Sequence, residues 1–169
     1  MDLTQAVADL SAEQSPENRR AVEAAVMASP DYDPLIQFEP QARELVAAKD
    51  HRGLIALLDA KMPGLVLSPL AHRLLWRACF AVGDAERADL ERRFMELALA
   101  TIRSSGTGEE GSPLRVLRVQ DEYDILGASG LRSIAQTEVA SQGRILDRHD
   151  LTDGSQLWFE LVWRGADAS

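Results

Sequence analysis

The apolar residues of this chain change their period once, and that change limits the folds open to it. Up to about Ser104 they recur every three or four positions, as on one face of a helix. From Ser133 onward they recur every second position, as on one face of a strand. The seam runs from Leu114 to Leu131: Leu-Arg-Val-Leu-Arg-Val, then Gln-Asp-Glu-Tyr-Asp-Ile-Leu, then Gly-Ala-Ser-Gly-Leu. It reads as an apolar strand turning into a short helix. The pattern predicts an α+β fold, with N-terminal antiparallel helical hairpins packed on a small C-terminal, mostly antiparallel sheet of about four strands. Residues 1–104 should form the helical region, 105–113 a linker, and 114–169 a strand–helix–hairpin region packed against the helices in one integrated domain.

Start and stop signals divide the helical part. Residues 1–14 suggest a short, loosely held helix. Ser15-Pro16-Glu17 combines a cap, a first-turn proline and an acid at the positive end of the helix dipole, so a helix should run from Pro16 to Met27 with Val22, Ala25 and Val26 inward. Ser29-Pro30-Asp31-Tyr32-Asp33-Pro34 breaks it. Further helices are expected over Pro40–Ala48 (Ala42, Leu45 and Val46 inward), residues 51–61, residues 69–82 after Ser68-Pro69, and residues 85–104. In the last, Leu90, Phe94, Leu97, Thr101 and Ile102 form the apolar stripe, and Glu91 lies on the wet side. Asp50 and Asp84 each restart a helix and stand 34 positions apart, the period of tetratricopeptide helix pairs. Ordinary antiparallel hairpins give the same spacing.

Beyond the linker, Leu114–Val119 reads as a strand covered on both faces. Strands over 134–140 and 144–151 flank a turn at Ser141-Gln142-Gly143, and Asp153-Gly154 signals a second, two-residue hairpin. From Gln156 to Trp163 the residues alternate, with Leu157, Phe159, Leu161 and Trp163 toward the helices and Trp158, Glu160 and Val162 outward. The tail after Arg164 is expected to fray.

Little of this carries chemistry. Asp121, Glu122 and Asp124 crowd a helix start. Three carboxylates so close suit a metal or acid–base site, but the helix dipole explains them more simply. On alternating strand positions Asp147 and His149 share one face, and Arg148 and Asp150 the other. With Asp153 nearby, that is the best polar cluster in the chain. His51, His72 and His149 are scattered, and none has a zinc-ligand spacing with Cys79. Cys79 has no possible disulfide partner and reads as a buried thiol. The glycine-rich run 104–113 lacks the lysine and following helix of a phosphate cradle. No catalytic residue, metal or cofactor is expected.

One set of motifs is familiar as a set. Ser29-Pro30-Asp31-Tyr32-Asp33-Pro34, Gly83-Asp84, Asp121-Glu122-Tyr123-Asp124-Ile125-Leu126, Gly130-Leu131, Gly143 to Asp147 and Leu157-Trp158-Phe159 resemble the bacterial domain-of-unknown-function family numbered 4919. The likeness covers about residues 18–163. The family pattern has a Tyr-Asp pair where this chain has Leu146-Asp147, and a Tyr where it has Trp158. What the resemblance implies is architecture, helical hairpins on a small sheet, and it brings no activity with it.

The net charge of −9 disfavours nucleic acid and anionic membrane surfaces, and it favours a basic protein partner. No secretory signal or membrane-spanning run is apparent, so the expected place is the cytoplasm. The expected role is a non-enzymatic protein-binding module, most concretely an immunity protein covering the basic surface of a toxin or secreted effector. Asp121, Glu122, Asp124, Asp147, Asp150, Asp153, Trp158 and Glu160 are the candidate contact residues. An accessory or scaffold subunit, and a small-molecule enzyme or sensor using the Asp147/His149/Asp153 region, are the alternatives.

Overall fold

The structure is a computed structural model that describes residues 2–168. Its elements are α1 (Leu3–Ala12), α2 (Pro16–Met27), α3 (Glu39–Ala47), α4 (His51–Asp59), α5 (Pro69–Ala81), α6 (Ala85–Arg103), β1 (Leu114–Val116), α7 (Val119–Ala128), β2 (Ser133–Ser141), β3 (Arg144–Leu151), β4 (Gln156–Leu161) and a 3-10 turn, Val162–Ala168. The fold is α+β as expected. That 3-10 turn occupies most of the tail expected to fray; Ser169 lies outside the described residues.

Two compact units form, Met1–Ala25 with Leu99–Ser169, and Val26–Ala98. Residues 105–113, expected as a linker, are bonded into the sheet-bearing unit. The amides of Thr107 and Gly108 both donate to the Ser112 carbonyl at 2.9 Å, and the Gly108 carbonyl accepts from Trp158 N–H at 2.9 Å. Ser141 Oγ donates to Glu110 at 2.6 Å. Gly108 sits at φ +81°, a backbone conformation that favours glycine, and a Cβ there would push aside a Leu157 methyl group.

In Val26–Ala98 the two predicted restarts close with the same bonds. Asp50 N–H donates to Leu45 O at 2.9 Å and Lys49 N–H to Val46 O at 3.1 Å; Asp84 N–H donates to Cys79 O at 2.9 Å and Gly83 N–H to Phe80 O at 3.1 Å. Lys49 (φ 56°) and Gly83 (φ 85°) are the left-handed residues such a helix end requires. Asp50 then caps Gly53 N–H, and Asp84 caps Arg87 N–H. The core of this unit is Phe38, Ala42, Leu54, Leu58, Leu65, Ala71, Leu75 and Ala78. Cys79 is sealed, and burial pushes its thiol pKa up.

Two residues expected inward face outward. Val46 is 47% and Leu90 51% exposed, whereas Glu91 is 7% exposed. Glu91 turns inward because it accepts from His72 Nδ1 at 2.6 Å and from Arg87 Nε at 3.3 Å. His72 Nε2 donates to the Val66 carbonyl at 2.8 Å, and its ring stacks on Phe94 at 5.1 Å. A hydrogen-bonded histidine–glutamate pair therefore occupies a position that hydrophobicity alone assigns to a leucine.

In the sheet-bearing unit the strand order is β1-β4-β3-β2, with β1 parallel to β4 and the other pairs antiparallel. β1 is shorter than predicted: Arg118 is still extended, but Val119 already begins α7. The loop after β3 is four residues, 152–155, with Gly154 at φ 83°, in place of the two-residue turn expected. One face of the sheet carries Phe159, Leu161 and Leu151 against Ile125 and Leu126 of α7 and Ile102 of α6. On the other face Arg115 bonds Glu23 of α2 at 2.8 Å and Glu160 at 3.2 Å.

Phe159 is fully buried, so Phe159→Ala should lower unfolding free energy by about 3–5 kcal/mol in urea titrations; a loss below about 1 kcal/mol would place its ring outside the core. Gly83 has open space around its Cβ position, so Gly83→Ala should cost only the left-handed backbone penalty, about 1 kcal/mol, and Lys49→Gly should gain a comparable amount.

Candidate functional site

The alternation of β3 puts Asp147 and His149 on the same, inward face, as their spacing predicts. α7 lies over that face and lowers Glu122 onto them. Glu122 and His149 are both 0% exposed, and Asp147 is 4% exposed. His149 Nε2 lies 2.7 Å from Glu122 Oε2, and His149 Nδ1 lies 2.9 Å from Ser133 Oγ. Gln136, directly opposite His149 on β2, donates from Nε2 to both Glu122 Oε2 and Asp147 Oδ2 at 3.1 Å. Arg164 holds the other Asp147 oxygen at 3.0 Å and reaches Glu138 at 3.1 Å. Tyr123, 44% exposed, caps the group by donating its hydroxyl to Gln136 Oε1 at 2.7 Å. The His149 ring meets Tyr123 and Phe159 edge-on at 5.2 Å each.

Burial and the hydrogen bonds together favour one placement of the protons. Ser133 Oγ donates to the Ala135 carbonyl at 3.1 Å. With His149 neutral, as its burial favours, Nδ1–H donates to Ser133 Oγ and Nε2 is bare. Burial then favours the proton on Glu122, whose Oε2 can donate to Nε2 across the 2.7 Å contact. The electrostatics agree. Burial, and then the neighbouring Asp147 carboxylate, push Glu122 up to about 9, and burial holds His149 below its ordinary value. Burial likewise raises Asp121 to about 7, against the opposing pull of Arg118. Glu122 Oε1 makes no hydrogen bond. The arrangement keeps one proton between two sealed groups, and neither group reaches solvent in this conformation.

The predicted contact residues separate. Asp121 (1%), Glu122 (0%), Asp124 (4%), Asp147 (4%) and Trp158 (9%) are buried, so their side chains are withheld from any protein surface. The dipole argument for the three acids of α7 accounts for their place in the first turn but not for their burial. Trp158 was expected outward; it lies under the Arg148 guanidinium, 5.9 Å away. Asp150, Asp153 and Glu160 are accessible. Asp150 pairs with Arg148 at 3.3 Å and Glu160 with Arg115 at 3.2 Å. Asp153 caps Ser155 N–H in the turn, apart from the His149 cluster. Sequence reasoning missed Ser133, Gln136, Tyr123 and Arg164. The turn at Gln142-Gly143 was the signal available for one of them: counting outward from it pairs Gln136 with His149 and Glu138 with Asp147.

Among the described residues no group of three or more His, Cys, Asp or Glu is arranged to hold a metal ion, and no helix is long and apolar enough to cross a membrane. No protein-family model matches the chain, and neither a curated protein nor a solved structure is detectably similar to it.

Proton linkage gives the sign of the pH dependence. Folded Glu122 keeps its proton up to about 9, while the unfolded group gives it up near 4.5, so stability falls as pH rises between those values. Folded His149 stays neutral below 6.5, where the unfolded ring takes a proton, so its contribution is lost as pH falls through that range. Glu122→Gln should remove most of the alkaline loss. Its melting temperature should exceed that of the parent at about pH 8–9 and approach it near about pH 5. A residual slope below about 7 from Asp121 should survive in both. Identical slopes in the two proteins would show that Glu122 carries no proton in the folded state.

Proposed function

We propose that the protein is a non-enzymatic, acidic protein-binding module, most concretely an immunity protein that neutralises a cognate toxin by covering its basic surface. The observation that carries this reading is the separation of chemistry from surface. The groups able to move protons, Glu122 and His149, are 0% exposed, while Glu109, Glu110, Asp153 and the half-buried Asp150 lie at the surface of the same unit. Such a surface attracts a basic partner and speeds its encounter, and a sealed histidine contributes by holding structure. The resemblance to family 4919 adds an architecture compatible with this role and no activity.

One observation favours a second reading. The chain Ser133–His149–Glu122 joins a hydroxyl, an imidazole and a carboxyl group by contacts of 2.9 and 2.7 Å. A small-molecule enzyme or sensor built on it needs Tyr123 and Gln136 to swing aside. On that reading His149→Ala abolishes a measurable turnover or ligand response. On the first reading the same substitution alters stability alone.

The test of the first reading is affinity capture with the purified protein at low salt, starting with the product of the neighbouring gene. A stoichiometric complex with a basic protein is expected. Raising salt from about 0.05 to 0.3 M should weaken it, as screening of charges across an interface requires. The pair Asp150→Lys and Glu109→Lys should weaken it about tenfold or more. No stoichiometric partner, or affinity indifferent to both salt and charge reversal, overturns the proposal.

A further inference from the structure

β2 stands at one edge of the sheet with β3 as its sole strand neighbour. It is nine residues long, and all but Ser133, Val139 and Ser141 are exposed, Ile134 to 69%. Edge strands are usually blunted by proline, lysine or brevity. This one contains neither proline nor lysine, and its single charge, Glu138, is already paired with Arg164 at 3.1 Å. Its register shift lies at the Ser133–Ala135 end, so the regular stretch from Ala135 to Ala140 is open to a further strand.

Its sequence says which strand fits. Read from either end about Thr137, Ser-Ile-Ala-Gln-Thr-Glu-Val-Ala-Ser is nearly self-complementary. β2 alternates regularly from Ala135 to Ser141, with a register shift between Ser133 and Ala135; laid antiparallel on a second copy with Thr137 at the two-fold axis, Ala135 faces Val139 and Gln136 faces Glu138. Threonine opposite threonine and apolar opposite apolar are favourable cross-strand pairs, and no like charges stand directly opposite. The backbone parity also agrees. Ser141 and Arg144 flank the two-residue turn and pair directly, as do Val139 with Leu146 and Thr137 with Arg148. Alternation along an antiparallel ladder then leaves the N–H and C=O groups of Gln136, Glu138 and Ala140 turned to the open edge. Those are the groups the two-fold register needs, with Thr137 in the closer, non-hydrogen-bonded pair.

We propose that two copies of this chain associate edge to edge through β2, in an antiparallel two-fold register centred on Thr137, to form one continuous eight-stranded sheet. The contact is isologous, so it closes at the dimer. It rests on β2 alone and is independent of the toxin-binding reading.

The test uses the purified protein without any partner. Sedimentation equilibrium should show a monomer–dimer equilibrium. Ala140→Pro removes an outward N–H that β3 does not use, and Thr137→Lys sets two ammonium groups face to face at the axis; each should weaken the dimer at least about tenfold. Because Cys79 is buried, Thr137→Cys supplies one accessible thiol per chain. Mild oxidation should link two copies through position 137, since non-hydrogen-bonded pairs bring Cα atoms to about 4.5 Å. Circular dichroism confirms that each variant is folded. If Ala140→Pro fails to fold, Thr137→Lys and Thr137→Cys decide alone. A protein that sediments as a monomer at all concentrations overturns the proposal, as does a dimer that tolerates Thr137→Lys or fails to cross-link through position 137.

Discussion

A single proton held between Glu122 and His149 governs the sheet-bearing unit. Both side chains lie beyond the reach of water, where an ionised carboxylate or an imidazolium without full compensation is costly. The neutral pair avoids that cost. Three elements meet there: Glu122 comes from α7, His149 and Asp147 from β3, and Ser133 and Gln136 from β2. Gln136 bonds both carboxyl groups at once, so β2 cannot slip along β3 without leaving two buried acids short of a donor. Register, helix docking and protonation are thus one constraint.

Apolar placement was largely legible in advance. The strands from Ser133, the helix at Pro16 and the caps at Ser15, Ser68, Asp50 and Asp84 all lie where local rules put them, because the decisive interactions are within a few residues. The errors share a cause. Leu90 and Val46 were turned inward, and Glu91 outward, on hydrophobicity; in the structure Glu91 is buried because His72, nineteen positions earlier, needs it. Asp121 and Glu122 were read as surface acids favoured by a helix dipole, whereas a partner on a later strand draws Glu122 inside. Buried polar pairs depend on distant residues, and no window of local pattern reveals them. The hairpin register was the one long-range rule in reach, and it would have placed Gln136 over His149.

The equivalent turns at Lys49-Asp50 and Gly83-Asp84 show local rules at their strongest. Two different residues, lysine and glycine, take the same left-handed conformation, and the same two backbone bonds close around each. Conformation there is set by the need to satisfy the last carbonyls of a helix. Residue identity only sets how much strain that entails.

The strand order has a consequence for how the chain is made. β4 lies between β1 and β3, yet the ribosome delivers it after both. Until then β1 has no strand beside it, and α1 and α2 wait for segments more than seventy residues downstream. Val26–Ala98 is contiguous and its contacts are short in sequence, so it can become native while still tethered to the ribosome. An interruption of translation between these two points would leave a finished helical body joined to an unfinished, adhesive β-hairpin.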